Sequence, residues 1–174
     1  TVSSLEEGER LSQAAVRQRK TASVHLKIDT GMGRLGSAPE FAPRLLEALN
    51  RLPGLSVDGL FTHFSSAEDD PDFTGQQRKA CVILLQHLVR HAQTFLWILA
   101  NNIDGLLFEP EAPGNTVRPG LLVYGIHPPS RRAPGSVSPS NFRPALSWKC
   151  RVGLVKQVAA GTPISYGHTY TTST

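Results

Sequence analysis

The sequence has little of what marks disulfide-bonded, metal-binding or membrane-spanning proteins. Its 174 residues include only two cysteines, Cys81 and Cys150, which lie far apart and lack the spacing of a metal site. A reduced, cytoplasmic compartment therefore suits the chain better than a disulfide framework. No run of about 18 apolar residues occurs, which predicts that no segment spans a membrane. The first residues also lack the basic and apolar regions of a secretory signal.

The sequence also has no large excess of either charge. Its 18 Lys and Arg against 14 Asp and Glu give a formal net charge of +4, and the cations are scattered along the chain. Because no recognition motif accompanies them, they do not predict nucleic acid as a partner. A length of 174 residues with 40% hydrophobic residues fits one globular domain or part of a larger protein.

What the sequence does contain is an alternation of strand-like and helix-like segments. Val24, Leu26 and Ile28 alternate with polar residues, which is the period of a strand, and Gly31 and Gly33 follow. We predict strands over 24–28, 57–64 and 94–100 and helices over 4–19, 37–49, 73–91 and 103–108. Strands that alternate with helices predict parallel pairing with helical crossovers.

Polar residues stand at or just after the ends of the predicted strands. They are Lys27, His63, Asn101, Asn102 and Arg118, and the first three are separated by about one βα repeat each. In a (β/α) barrel the chemistry lies at the carboxyl ends of the strands. We therefore predict an α/β fold in which residues 1–144 form part of a TIM-type (β/α)8 barrel. The barrel is partial because eight units need about 250 residues.

The composition changes after Pro128 and Pro129, where a stretch of loop formers begins. Beyond it, residues 146–158 and 163–167 are strand-like and are joined by A-A-G-T, a candidate hairpin turn. No helical period lies between them. Residues 145–174 are therefore predicted to begin an all-β domain.

Four blocks of the sequence carry a resemblance to a known family. They are K-I-D-T-G-M-G-R-L-G, G-L-F-T-H-F-S-S-A-E-D, V-R-P-G-L-L-V-Y-G and G-T-P-I-S-Y-G-H-T-Y-T, in this order. Together they resemble the middle portion of the pyridoxal-phosphate-dependent alanine racemases. The resemblance implies an eight-stranded barrel followed by a β domain, a head-to-tail homodimer, and pyridoxal 5'-phosphate as cofactor. It also implies interconversion of L- and D-alanine by two-base proton transfer, which supplies D-alanine for bacterial peptidoglycan.

The first block matches two cationic positions of the family. Arg34 matches the arginine that binds the phenolic oxygen of the cofactor, and its guanidinium offers a permanent charge with fixed donors. Lys27 matches a lysine that is carbamylated in many members. Two cations at one rim repel, whereas a carbamate on Lys27 would be an anion that orients Arg34. The alternative for Lys27 is a surface lysine whose stem lies along apolar surface.

The other blocks imply the rest of the cofactor site. His63 matches the histidine packed against the pyridine ring, and Arg118 matches the arginine that faces the pyridine nitrogen. Gly120 and Leu121 match backbone positions whose N–H groups bind the phosphate. Asn102 stands where the family usually has a phosphate-binding serine, and an Asn amide can also donate to phosphate. Taken singly, these residues would be a core histidine, an exposed turn arginine and a polar loop.

The resemblance also implies where the acid–base groups lie. Tyr166 matches the tyrosine that exchanges the α-proton with the L-enantiomer, and it would act in the partner subunit's site. A tyrosine with a pKa of about 10 is a weak base until cations favour the phenolate, and His63 and Arg118 are the candidates. The family's Schiff-base lysine lies in a K-A-N-A-Y-G-H-G type block, which this sequence does not contain. Two alternatives therefore stay open: a racemase for another small amino acid, such as serine, and a catalytically inactive fragment.

Two further groups of polar residues point less clearly to a site. His87 and His91 lie four residues apart on a predicted helix and indicate either half of a zinc site or a solvated face. The acidic run E-D-D-P-D at 68–72 indicates either a site for a hard cation or a charged loop.

Overall fold

The fold is built on a parallel β-sheet with helices between its strands. The structure, a computed structural model, describes residues 1–127 and 141–173, so the predicted linker after Pro128 lies almost entirely outside the described residues. The sheet has the order β1-β2-β3, and both pairs are parallel. Its strands are β1 (Ala22–Lys27), β2 (Leu55–Phe61) and β3 (Trp97–Leu99), and the helices are α1 (Leu5–Arg17), α2 (Ala42–Asn50), α3 (Pro71–Arg90) and α4 (Ile103–Phe108). The predicted α/β class with parallel strands is confirmed.

Two more segments join the sheet, each through a single bridge. Val2 pairs in parallel with Leu26 of β1, and Thr116 pairs in parallel with Leu99 of β3. Five parallel segments thus lie side by side in the order in which the chain reaches them. This arrangement agrees with the predicted succession of βα units, while closure into a barrel stays a prediction.

The helices cover one face of the sheet. A buried apolar cluster joins strands to helices, and it consists of Val2, Val24, Leu26, Ile28, Ala42, Leu46, Leu49, Leu60, Leu84 and Leu88. Burial of each of the larger side chains contributes about 1.5–3 kcal/mol. Because side chains alternate along a strand, His25 and Lys27 of β1 point to the opposite face. None of the helices within the described residues is both long and apolar enough to cross a membrane.

A bulge sets the register between the first two strands. Val24 pairs with Val57, but the next pair is His25 with Gly59, so Asp58 is the extra residue on β2. After the bulge, Leu26 pairs with Leu60 and Lys27 with Phe61. Gly59 is needed there because a Cβ would lie 2.5 Å from the ring of His25.

Local capping explains where the helices begin. Ser4 caps α1 by accepting from the N–H of Glu7, and Asp70 caps α3 by accepting from the N–H of Phe73. Asp70 belongs to the acidic run of 68–72, so at least this carboxylate has a structural task. The predicted start of the second helix at Ser37 is wrong by five residues. Ser37 instead forms a parallel bridge with Ile28, which uses its backbone N–H and C=O.

The prediction of a strand over 146–158 is also wrong. These residues form no strand and are largely exposed; Trp148, for instance, is 92% exposed. A strand requires a partner for its backbone groups, and no described segment lies beside this one. The turn at A-A-G-T is present, but the pairing that follows joins β4 (Pro163–Ile164) to β5 (Tyr170–Thr171), antiparallel.

Two glycines in helices allow a matched test of the packing between α1 and α2. At Gly8 of α1 a Cβ would overlap Leu49 Cδ2, and Leu49 is fully buried. At Gly75 of α3 a Cβ would meet nothing within 4 Å. We expect Gly8→Ala to lower the free energy of unfolding by about 1–3 kcal/mol through overpacking. Gly75→Ala should raise it by about 0.5–1 kcal/mol, because glycine is costly inside a helix.

Urea unfolding followed by circular dichroism measures both changes. Equal effects of the two substitutions would contradict the close contact between α1 and α2.

Candidate active site

The polar residues predicted at the strand ends come together at one edge of the sheet. Lys27 ends β1, His63 follows β2 by two residues, and Asn102 follows β3 by three. Arg118 comes two residues after the bridge at Thr116. Since the carboxyl ends of parallel strands meet at one edge, these side chains reach a common region. We call these four residues the strand-end cluster.

Arg118 contacts both neighbouring strand ends of the cluster. Its Nη2 donates to the carbonyl oxygens of Thr62 at 3.0 Å and Ala100 at 3.3 Å, and lies 3.2 Å from Nδ1 of His63. The guanidinium also stacks over the ring of Phe61, with Cζ 4.3 Å from the ring centroid. Burial lowers the pKa of Arg118 to about 10, so it remains a cation at neutral pH. Its Nη1 is buried without a hydrogen-bond partner among the described residues.

His63 is held in its neutral form by its surroundings. Burial, followed by the positive charges of Arg118, Arg34 and Lys27, lowers the pKa of His63 to about 4. The geometry also favours the neutral ring, because Nδ1 faces a donor of Arg118 and Nε2 lies 3.3 Å from the amide donor Nδ2 of Asn102. A protonated ring would present donors to donors on both sides. A neutral ring accepts through only one nitrogen. The charge-assisted contact with Arg118 favours Nδ1 as that acceptor, so the proton lies on Nε2, and the approach of Nε2 to Nδ2 of Asn102 is then not a hydrogen bond.

Lys27 is a buried cation beside other cations. It is 4% exposed, its Nζ donates to the carbonyl of Ile28 at 2.8 Å, and Nζ lies 4.9 Å from the centroid of the Phe61 ring. Burial lowers the pKa of Lys27 to about 8; Asp29 opposes this shift, while Arg118 and Arg34 add to it. A snorkelling surface lysine is therefore excluded.

The loop after β1 is organised by the carboxylate of Asp29. Its Oδ1 accepts from the N–H groups of Gly31 at 3.0 Å and Gly33 at 3.1 Å. Burial works against ionisation, but these backbone donors, with that of Met32 and the charge of Lys27, outweigh it and lower the pKa of Asp29. Arg34 follows this turn, is exposed, and lies close enough to affect the pKa values of Lys27 and His63.

Asn102, which is predicted to bind the cofactor phosphate, also caps the start of α4. Its Oδ1 accepts from the N–H of Gly105 and so caps α4, while Nδ2 donates to the carbonyl of Phe64 at 3.1 Å. Gly120 and Leu121 open a short 3-10 helix, Gly120–Tyr124, whose first N–H groups have no acceptor within the helix. Gly120 has a φ of +51°. Phosphate binding by these three residues stays a prediction.

Tyr166 is not part of the strand-end cluster. It lies between β4 and β5 and is 99% exposed, so it packs against none of the residues described above. This position is consistent with the expected action in a partner subunit, which no described contact tests. Its role therefore also stays a prediction.

Some residues of the site were missed by sequence reasoning. Phe61 lies beneath both Lys27 and Arg118, and Gln77 of α3 is fully buried and bonds to the loops after β1 and β2. A signal for Gln77 was present: it is spaced with Cys81, Leu84 and Leu88 along the apolar stripe of α3.

His87 and His91 lie elsewhere, in a surface groove between α2 and α3. Their ring centroids are 4.3 Å apart, and Nδ1 of His91 lies 2.8 Å from the carbonyl oxygen of His87. Within residues 1–127 and 141–173, no group of three or more His, Cys, Asp or Glu is placed to share a metal ion.

Comparison with known proteins gives the family. A family model described as "Alanine racemase, N-terminal domain" matches residues 1–128. The chain belongs to the alanine racemase family. It is 41% identical over 167 residues to the alanine racemase of Symbiobacterium thermophilum, covering 95% of this chain and 43% of that protein. It is 42% identical over 169 residues to the alanine racemase of Methylacidiphilum infernorum, covering 97% of this chain and 41% of that one.

Solved structures of alanine racemases are similar over nearly the whole chain. The crystal structure of alanine racemase from D-cycloserine producing Streptomyces lavendulae matches with a TM-score of 0.79 and 30% identity, covering 99% of this chain and 46% of that one. The alanine racemase of Clostridium difficile 630 matches with a TM-score of 0.77 and 31% identity, covering 99% and 45%. The chain thus spans less than half the length of these racemases.

The lowered pKa of His63 predicts a loss of stability in acid. Its folded pKa of about 4 lies below the unfolded value of 6.5, so the unfolded chain binds the proton more readily between these pH values. The penalty is absent above about pH 6.5 and grows as pH falls toward 4. Between pH 7.5 and 5, we expect the protein to lose about 1 kcal/mol more unfolding free energy than its His63→Gln variant, discounting for partial exposure.

Urea unfolding at the two pH values measures this difference. His87→Gln, which replaces an exposed histidine outside the strand-end cluster, is measured beside it as the control for the loss of a histidine. A His63→Gln variant as sensitive to acid as the parent would contradict a neutral His63 in the folded protein.

Proposed function

We propose that these residues form part of the active site of an alanine racemase that interconverts L- and D-alanine with pyridoxal 5'-phosphate. The observation that carries the proposal is the bonding of Arg118 to His63 at the strand ends, in a chain of the alanine racemase family. We also propose that the sheet belongs to an eight-stranded barrel and that the enzyme is a cytoplasmic homodimer supplying D-alanine for peptidoglycan. The five parallel segments in chain order support the barrel.

The donors of the site fit this cofactor. Within residues 1–127 and 141–173, the buried Nη1 of Arg118 has no hydrogen-bond partner, as expected of a donor that would face a ring nitrogen of a ligand. The backbone N–H groups that open the 3-10 helix at Gly120 and Leu121 suit a phosphate. When bound, pyridoxal phosphate supplies an electron-withdrawing ring that stabilises negative charge at the α-carbon of the amino acid.

The chain's own residues would set the properties of that site. Arg118 stays protonated at neutral pH, so it would donate to a ring nitrogen without giving up its proton and would keep that nitrogen unprotonated. This restrains side reactions that need a stronger electron sink. His63 is neutral and accepts from Arg118, which fixes the direction of the guanidinium. Arg34 would bind the phenolic oxygen as a permanent donor.

Tyr166 would remove or return the α-proton on the face used by L-alanine. We expect Tyr166→Phe to lower exchange of that proton for deuterium in heavy water by about 100-fold or more from L-alanine. Exchange from D-alanine should fall less, because Tyr166 is not the base for that face; the lysine that serves it in the family lies in a block that this sequence does not contain. Tyr170→Phe, in the same hairpin, is the control and should exchange as the parent does.

Nuclear magnetic resonance of alanine with added pyridoxal phosphate measures this exchange. Equal losses from both enantiomers would contradict the role of Tyr166. A parent that exchanges no faster than free cofactor would favour the inactive-fragment alternative, and faster exchange with serine than with alanine would favour a serine racemase.

Lys27 is proposed to carry a carbamate. Carbamylation joins the neutral amine to carbon dioxide through a new N–C bond and releases a proton, so a pKa of about 8 makes this lysine reactive near neutral pH. The product is an anion beside Arg118 and Arg34, which replaces repulsion by attraction. We expect a carbamate carbon resonance when the protein is supplied with ¹³C-labelled bicarbonate.

The resonance should vanish in Lys27→Gln and on acidification, and should persist in Lys79→Gln, which replaces an exposed lysine of α3. A resonance that survives in Lys27→Gln would assign the modification to another amine.

A further inference from the structure

Gln77 is a polar side chain in the middle of the apolar stripe of α3. It is 0% exposed, and both polar atoms of its amide bond to the loops that follow β1 and β2. Nε2 donates to the carbonyl of His63 at 3.2 Å and to Oγ1 of Thr30 at 3.4 Å. Oε1 accepts from the N–H of Ser65 at 3.1 Å and from its Oγ at 3.2 Å. A buried amide with this many partners is expensive to disturb.

These bonds join two loops that carry different parts of the site. Thr30 lies in the loop between β1 and Arg34, whereas His63 and Ser65 lie in the loop after β2. A hydrogen bond of 2.7 Å between the hydroxyl groups of Thr30 and Thr62 also joins the two loops directly. Gln77 thus fixes the distance between the loop that leads to Arg34 and the loop of His63.

The first loop packs directly onto α3. At Gly31, which has a φ of +138°, a Cβ would lie 2.8 Å from Cζ of Phe73 and 3.4 Å from Cγ of Gln77. The loop therefore has no room to move toward the helix. Its distance from the His63 loop depends on the length of the Gln77 side chain.

The chemistry of the amide is as specific as its position. The carbonyl of His63 needs a donor, and the N–H of Ser65 needs an acceptor, at the same point of the helix. An amide offers both on one planar group, whereas a carboxylate only accepts and a thioether does neither strongly. Glutamate and methionine have volumes similar to that of glutamine. Glutamate keeps the acceptor for the N–H of Ser65 but loses the donor to the carbonyl of His63, whereas methionine loses both.

We propose that Gln77 is a positioning residue that holds His63 and the Arg34 loop in register for the racemase site. His63 is then fixed at two ends, its carbonyl by Gln77 and its ring by Arg118. This inference rests on the proposed function for its catalytic consequence, but the positioning itself is a property of the chain alone.

The experiment compares Gln77→Met, Gln77→Glu and the control Gln76→Met in the full-length protein. Gln76 is the exposed neighbour of Gln77 on α3. The first readout is the ¹⁵N spectrum of the histidine rings without cofactor, in which His63 is assigned by its loss in His63→Gln. We expect the pH titration of His63 to move toward that of an ordinary histidine in both Gln77 variants. In Gln76→Met it should not move.

The second readout uses the protein loaded with pyridoxal phosphate. In both Gln77 variants, kcat should fall about ten- to a hundredfold per bound cofactor, with a smaller change in KM. The visible circular dichroism of the bound cofactor should also change. If Gln77→Met does not fold, Gln77→Glu carries the test, because it keeps the size and the Ser65 contacts of the native side chain.

The outcomes separate the two proposals. An unchanged His63 titration in folded Gln77 variants overturns the positioning role, whether or not the parent is active. An altered titration in a protein that shows no racemase activity supports the positioning role and overturns the proposed function. Variants that only unfold more readily, with parental kcat per bound cofactor, dichroism and titration, would make Gln77 a purely structural residue and overturn the inference.

Discussion

The hydrogen bonds of one half-buried guanidinium, that of Arg118, hold the candidate site together. They reach Thr62 and Ala100, which follow β2 and β3, so a single side chain ties two neighbouring strand ends. The cation also needs an acceptor in His63, and a neutral imidazole provides one. Burial is the largest cause of the lowered pKa values of His63 and Lys27, and the charge of Arg118 adds to both. The stacking on Phe61 also depends on where this charge lies.

The strand-end region is rich in positive charge. The charges of Arg118 and Arg34 lower the pKa values of both Lys27 and His63, and the charge of Lys27 also lowers that of His63. The carboxylate of Asp29 raises the pKa of Lys27. Asp29 is itself occupied by the N–H groups of Gly31 and Gly33. Such an excess of cations, partly removed from water, favours the binding of anionic groups. The proposed phosphorylated cofactor, with its phenolate oxygen, and the proposed carbamate on Lys27 would each supply such an anionic group.

The sequence allowed most of the sheet and much of the cluster to be predicted, for physical reasons that differ by residue. Lys27, His63 and Asn102 stand at or shortly after the ends of apolar strands, so periodicity places them at one edge. Arg118 follows a segment that joins the sheet only through a bridge at Thr116, so periodicity alone does not place it. The role of Gln77 was not predicted, because helical periodicity shows that a position is buried but not what a polar side chain at that position bonds to. The strand expected over 146–158 failed because alternation does not show whether a partner strand is present. The start at Ser37 failed because a bridge to Ile28 outweighed helix propensity.

The bulge at Asp58 shows how a feature without a sequence signal decides the chemistry of the site. If the register of Val24 with Val57 continued without a bulge, so that His25 paired with Asp58, Lys27 would pair with Leu60. Phe61 would then point toward the helices, because side chains alternate along a strand. With the bulge, Leu60 enters the apolar cluster and Phe61 shares the face of Lys27. The ring then lies within reach of both Lys27 and Arg118 and shields them from water. The bulge in β2 thereby contributes to the burial that lowers the pKa of Lys27.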